Sequence, residues 1–116
     1  MTRKLLACAL LAGVLVMAAC APTTRFEWGG YEQALYSYSL SPESRDAYRE
    51  ALEQAIESGR SRNAVAPGLL AELGYLHLED GRTTDAVRYF REERALFPES
   101  APFMDRIINQ VGGLEQ

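Results

Sequence analysis

Cysteine, histidine and lysine are almost missing from this chain of 116 residues, which holds two cysteines, one histidine and a single lysine, Lys4. With one histidine at position 77, no His-based metal cluster can form within one chain. The cysteines stand at 8 and 20, both near the start, so nothing further along is available for a disulfide framework. No Asn-Gly hairpin turn and no sustained apolar-polar alternation occurs, which argues against strands. No apolar run reaches the roughly 20 residues that a bilayer span needs. A strand–loop–helix setting for Gly29-Gly30 or Gly112-Gly113 is also lacking, so neither pair reads as a phosphate cradle. The serines at 37, 39 and 41 sit in no nucleophile-elbow context, and a hydrolase reading finds no base near them.

What the chain does have begins at its start. Arg3 and Lys4 precede the apolar stretch Leu5 to Met17, and Ala18-Ala19 follow. These are the three parts of an export signal: a positive start, an apolar middle and a small-residue cleavage site. Cys20 comes next, and the arrangement resembles the bacterial lipobox, in which the cysteine thiol is acylated and the chain is cut before it. Met17 stands where that pattern prefers Leu. The resemblance implies a signal over residues 1–19, a lipidated Cys20 with a tether over 20–28, and a domain over 29–116. Ala21, in place of an Asp, resembles the outer-membrane sorting default, so the expected location is the outer membrane, lipid-anchored and facing the periplasm.

Cleavage there leaves 97 residues, enough for one small domain with a modest core. The mature chain carries ten arginines against sixteen acidic residues, a net charge of −6. A balance of that sign has no broad basic surface for phosphate backbones, so nucleic acid is not expected as a partner. It also gives little general pull toward anionic lipid, which leaves the anchoring to the acyl chains.

From Phe26 onward apolar residues recur at three- and four-residue spacing. The spacing predicts helices near 30–39, 43–58 and 68–79, a fourth capped by Thr83 or Thr84 and stopped before Pro98, and a fifth from Ser100 to Gly112-Gly113. Ser41-Pro42 reads as an N-cap followed by proline at the first helical position. Ala47, Tyr48, Ala51, Leu52, Ala55 and Ile56 are the expected buried rows of the second helix. Phe103, Met104, Ile107, Ile108 and Val111 are the expected inner residues of the last. The linker 59–66 reads as polar and mixed. The fold class expected is all-α.

Residues 67–100, PGLLAELGYLHLEDGRTTDAVRYFREERALFPES, span 34 positions and resemble a tetratricopeptide repeat through Leu70, Leu73, Gly74, Gly81, Ala86, Phe90 and Pro98. His77 and Glu93 depart from that pattern, and Glu93 is expected to loosen packing against a following repeat. Residues 29–58 resemble a degenerate first repeat, so the architecture expected is two repeats and a capping helix. The mature chain is also similar to a family of small bacterial lipoproteins known only as a domain of unknown function. That likeness lies in WGGYEQALYSY, PGLLAELGYLHLEDG and FPESAPFMDRII. The family is typically encoded beside a lipoprotein similar to the curli secretion pore. The resemblance implies an accessory role in an envelope complex and no reaction.

No enzyme signature stands out. His77 with Glu79 or Asp80 is read as packing and turn chemistry, and Glu92-Glu93 and the acids from Glu43 to Glu57 as solvated helix faces. No cofactor, metal or small-molecule substrate is expected. Five of the eleven aromatics fall between Phe26 and Tyr38. In the repeat register Tyr36 and Tyr75 occupy equivalent inner positions. This predicts a peptide groove of Tyr36, Ala71, Tyr75 and Leu78, rimmed by Glu32 and Glu79, because tyrosine combines flat apolar contact with a hydroxyl. The expected function is a lipid-anchored protein-interaction module. The alternative is a pilotin-like chaperone that targets an outer-membrane partner by its lipid.

Overall fold

The computed structural model describes residues 24–114. The signal, Cys20 and residues 21–23 of the tether lie outside them. Five α-helices follow in order: α1 (Tyr31–Leu40), α2 (Arg45–Arg60), α3 (Leu69–Glu79), α4 (Thr83–Leu96) and α5 (Ala101–Leu114). No strand forms among the described residues; one isolated parallel bridge joins Glu27 to Val65. The fold is all-α.

The two helices that follow a Pro-Glu-Ser tripeptide start differently from the expectation. Pro42–Ser44 and Pro98–Ser100, the same Pro-Glu-Ser tripeptide, each form a single 3-10 turn before α2 and α5. Proline fixes the backbone angle and lacks an N–H, and the serine amide then bonds three residues back, Ser44 to Ser41 at 3.0 Å and Ser100 to Phe97 at 2.8 Å. Ser41 therefore makes no side-chain cap, and α2 starts at Arg45 instead of 43. The fourth helix likewise has no threonine cap: Arg82 precedes it and Thr83 lies inside. Gly112-Gly113 does not end α5, which runs through both to Leu114.

Successive helices run antiparallel. Tyr38 near the end of α1 stacks on Tyr48 near the start of α2, with centroids 5.1 Å apart. Arg45 at the start of α2 donates to the Leu76 carbonyl near the end of α3. The amide of Arg82 closes the α3–α4 turn on the His77 carbonyl at 2.9 Å. Arg94 late in α4 pairs with Asp105 early in α5 at 3.0 Å.

Two apolar cores result, and α3 serves both. The first gathers Tyr48, Leu52, Ala55, Ile56, Val65, Ala66, Leu69, Leu70, Leu73 and Leu76, with Phe26, Trp28, Tyr31, Ala34, Tyr38 and Tyr89 against it. The second gathers Ala86, Phe90, Met104, Ile107 and Val111, with Ala71, Leu78, Val87 and Ile108 beside it. Gly74 makes the α3–α4 crossing possible. A Cβ there would stand 2.6 Å from the Phe90 ring and 3.2 Å from the Ala86 carbonyl, so any side chain would force the helices apart.

Several burial expectations are overturned. Ala47 is exposed, because it sits a quarter turn or more off the Tyr48–Leu52–Ala55–Gly59 stripe that α2 turns inward. Phe103 is 52% exposed, on the opposite flank of α5 from Ile108. The linker is the largest surprise: Ala64, Val65 and Ala66 are buried. Gly59 explains how they reach the core, since a Cβ at that position would lie 2.8 Å from Val65 Cα. The Glu27 amide then donates to the Ala64 carbonyl at 2.7 Å. Phe26, Glu27 and Trp28, assigned by the sequence to the tether, thus pack onto the domain.

Candidate interaction groove

Two carboxylates, part-buried Glu72 and buried Glu93, set how α3 is held. Glu72 leaves its first turn toward α1 and α2 and accepts hydrogen bonds from the hydroxyls of Tyr31, at 2.7 Å, and Tyr48. Burial and the adjacent carboxylate push both tyrosine hydroxyls far above their usual range, so both remain protonated donors at any ordinary pH. Trp28 leans on Tyr31 and Tyr48 stacks on Tyr38, which completes an aromatic wall around the carboxylate.

Glu93, expected on a solvated helix face, is buried instead. It is 3% exposed and its Oε1 accepts the Gly68 amide at 2.7 Å. Gly68 has a positive φ of 95° and supplies no cap of its own to α3, so a side chain from α4 caps α3 across the hairpin. Burial raises the Glu93 pKa, and the amides of Gly68, Ala71 and Leu70, together with the helix dipole, favour the charged form. Its Oε2 has no hydrogen-bond partner among the described residues. Glu93 is therefore not part of a solvated face, and it ties the α3–α4 hairpin together from within.

His77 is 6% exposed and lies flat against Tyr89, with centroids 5.1 Å apart and planes 17° apart. Burial lowers its pKa, with Arg82 and Arg49 adding to the effect, so it is a neutral packing ring at neutral pH. Among the described residues no group of three or more His, Cys, Asp or Glu is placed to hold a metal ion.

With Glu72 turned to one side of α3 and Leu73 and Gly74 to the others, Ala71, Tyr75 and Leu78 share the face toward α5. Tyr75 meets the buried Phe90 edge-on at 5.5 Å and remains 41% exposed. Tyr75 and Leu78 line a cleft of about 390 Å³ with Ile107, Gln110 and Val111 of α5. Its walls are apolar apart from the Tyr75 hydroxyl and the Gln110 amide.

The groove candidates divide accordingly. Tyr75 and Leu78 come together, and Ala71 packs beside them on the second core. Tyr36 does not join them: it stands 61% exposed on the side of α1 away from Tyr31 and Tyr38, and no aromatic pair links it to Tyr75 among the described residues. Glu32 is exposed in the first turn of α1. Glu79 is taken up on another face of α3 by Arg45, at 3.0 Å. Ile107, Gln110 and Val111 complete the cleft and were not among the candidates. The signal for them was present, since a capping helix must lay its Ile107–Val111 row along α3 and α4.

Comparison with known proteins gives a family and no activity. The family model described as a domain of unknown function, DUF4810, matches residues 26–107. No curated protein and no solved structure matches the chain. The family match starts at Phe26, where the packed structure also starts.

Proposed function

The chain belongs to the DUF4810 family, whose function is unknown, and on that premise we propose that it is a lipid-anchored protein-interaction module. In this reading Cys20 carries the lipid, the domain faces the periplasm from the outer membrane, and its helical hairpins are tetratricopeptide-like. Its role is to assist the assembly or stability of an envelope complex, such as a curli-pore-like secretion system, and it catalyses no reaction. The observation that carries the reading is the α3–α5 cleft. An apolar trough with a half-exposed tyrosine and one amide offers burial and orientation to a partner side chain, and holds no acid–base pair for chemistry. Glu72 and Glu93 support the same view, since both carboxylates are spent on positioning α3.

The test is photo-crosslinking from position 110 in native outer membranes. A discrete partner should be captured, and Tyr75→Ala with Leu78→Ser should reduce capture by about 30-fold, as expected when a central anchor worth about 2 kcal/mol is lost. Tyr36→Ala should leave capture unchanged. Undiminished capture by the double variant would end the groove reading. If Cys20→Ser instead displaces the partner from the outer membrane, the pilotin-like targeting role takes precedence.

A further inference from the structure

Antiparallel packing brings the chain entry, the ends of α2 and α4 and the starts of α1, α3 and α5 to one end of the domain. A second cleft, of about 380 Å³, opens there, lined by Arg25, Phe26, Arg60, Val65, Leu96 and Phe97 among others. Phe26 and Phe97 meet edge-on at 6.3 Å and the Arg25 guanidinium lies 5.3 Å from the Phe26 ring centre. Leu96 is 48% exposed.

We infer that this end is a seat for the bilayer surface, with Leu96 and the Phe26–Phe97 pair at the level of the phospholipid headgroups. The inference rests on the lipid-anchor reading of Cys20. Five residues, Cys20 to Thr24, separate that anchor from Arg25, and fully extended they reach about 18 Å. The headgroup layer of one leaflet takes up roughly 6 Å of this. What remains, about 12 Å, is no more than the diameter of one helix. The cleft end therefore cannot stand far from the lipid.

Its chemistry fits that position. Aromatic rings and arginine stems suit the interface, where an apolar body and a polar tip are both satisfied. Arg25 and Arg91 at this end have no carboxylate partner among the described residues. Glu32 and Glu99 at the same end likewise have no cationic partner among them, so net charge does not single this end out. Most charges near the cleft are already paired, as Arg60 is with Glu92 at 2.7 Å and Arg62 with Glu27. Apolar contact dominates, and the seating should resist moderate salt.

Trp28, the only tryptophan, sits two residues past Phe26 and serves as the probe. The acylated full mature protein would be placed in phosphatidylethanolamine–phosphatidylglycerol vesicles that contain a nitroxide lipid quencher. The expected result is loss of most Trp28 emission, with much of it restored by Leu96→Glu and none by Leu40→Glu at the far end. Circular dichroism would confirm that both variants keep their helices. Equal quenching in wild type and Leu96→Glu, or quenching that requires a second protein, overturns the seat. The mass of the mature N-terminal peptide reports the premise separately. An acylated Cys20 with unquenched Trp28 sinks the seat alone, whereas an unmodified Cys20 sinks the anchor reading and the reach argument with it.

Discussion

The two cores that meet at α3 are built on different terms. The first is large and cross-tied. Glu72 is gripped by two tyrosines, Arg45 reaches the Leu76 carbonyl and Glu79, and Arg49 and Arg45 both engage Asp80. Burial would raise the Asp80 carboxyl, but the two guanidiniums hold it below its usual range. The second core turns on Phe90, with Met104, Ile107 and Val111 around it and an open cleft at its edge. Polar ties over-determine one half; a single ring organises the other. The stiffer half thus lies where hydrogen bonds are many, and the more adaptable wall where they are fewest.

The sharpest way to break this contrast is Phe90→Ala. The ring is fully buried and a cavity of that kind costs about 3–5 kcal/mol, a large share of a small domain's stability. Chemical denaturation should show that loss, and amide exchange should rise first in α4 and α5 while α1 and α2 stay protected. A uniform rise across all five helices would mean that the halves are not distinct. Next in size is Glu72→Leu, which strands two tyrosine hydroxyls in a part-buried site and should cost about 2 kcal/mol. Its exchange signature should be the reverse, with α1 loosening first. The smallest effect sharpens the seam between them. His77 has a lowered pKa in the folded state, so its contribution is fully present above its ordinary value of 6.5. That contribution is lost as pH falls through the lower folded value, where the chain must charge a ring held against Tyr89, near Arg82 and Arg49. Thermal melts from pH 7.5 to 5 should fall for the wild type and fall less for His77→Phe. Parallel slopes would remove His77 from the account.

Helix number and the α3–α4 hairpin were legible because α3 and α4 carry their own punctuation: Gly74 for close approach, Asp80-Gly81 for the turn, Pro98 for the stop. Glu93 was not legible as a cap, since the amides it serves belong to another helix and sequence spacing cannot show a partner 25 residues away. The buried linker failed for a related reason. Ala64-Val65-Ala66 is too short for periodicity and becomes interior only because Gly59 lets it fold back. In the groove, Tyr75 was assigned from the same repeat register as Tyr36, and the structure sets it beside Leu78 because both lie on the face of α3 turned to α5. Tyr36 was assigned from repeat register, and the face that α1 turns to α2 decided its direction instead.

The bridge between Glu27 and the Ala64–Val65 linker has a mechanical consequence. A pull applied at residue 24 does not simply peel α1 from the end of the stack. Tension passes at Phe26 into Phe97 and at Glu27 into the backbone joining α2 to α3, so strain enters the middle of the chain at two places at once. Release then requires shearing a backbone contact and an aromatic contact together. A domain stitched in this manner resists force at its N-terminal end without unravelling from that end.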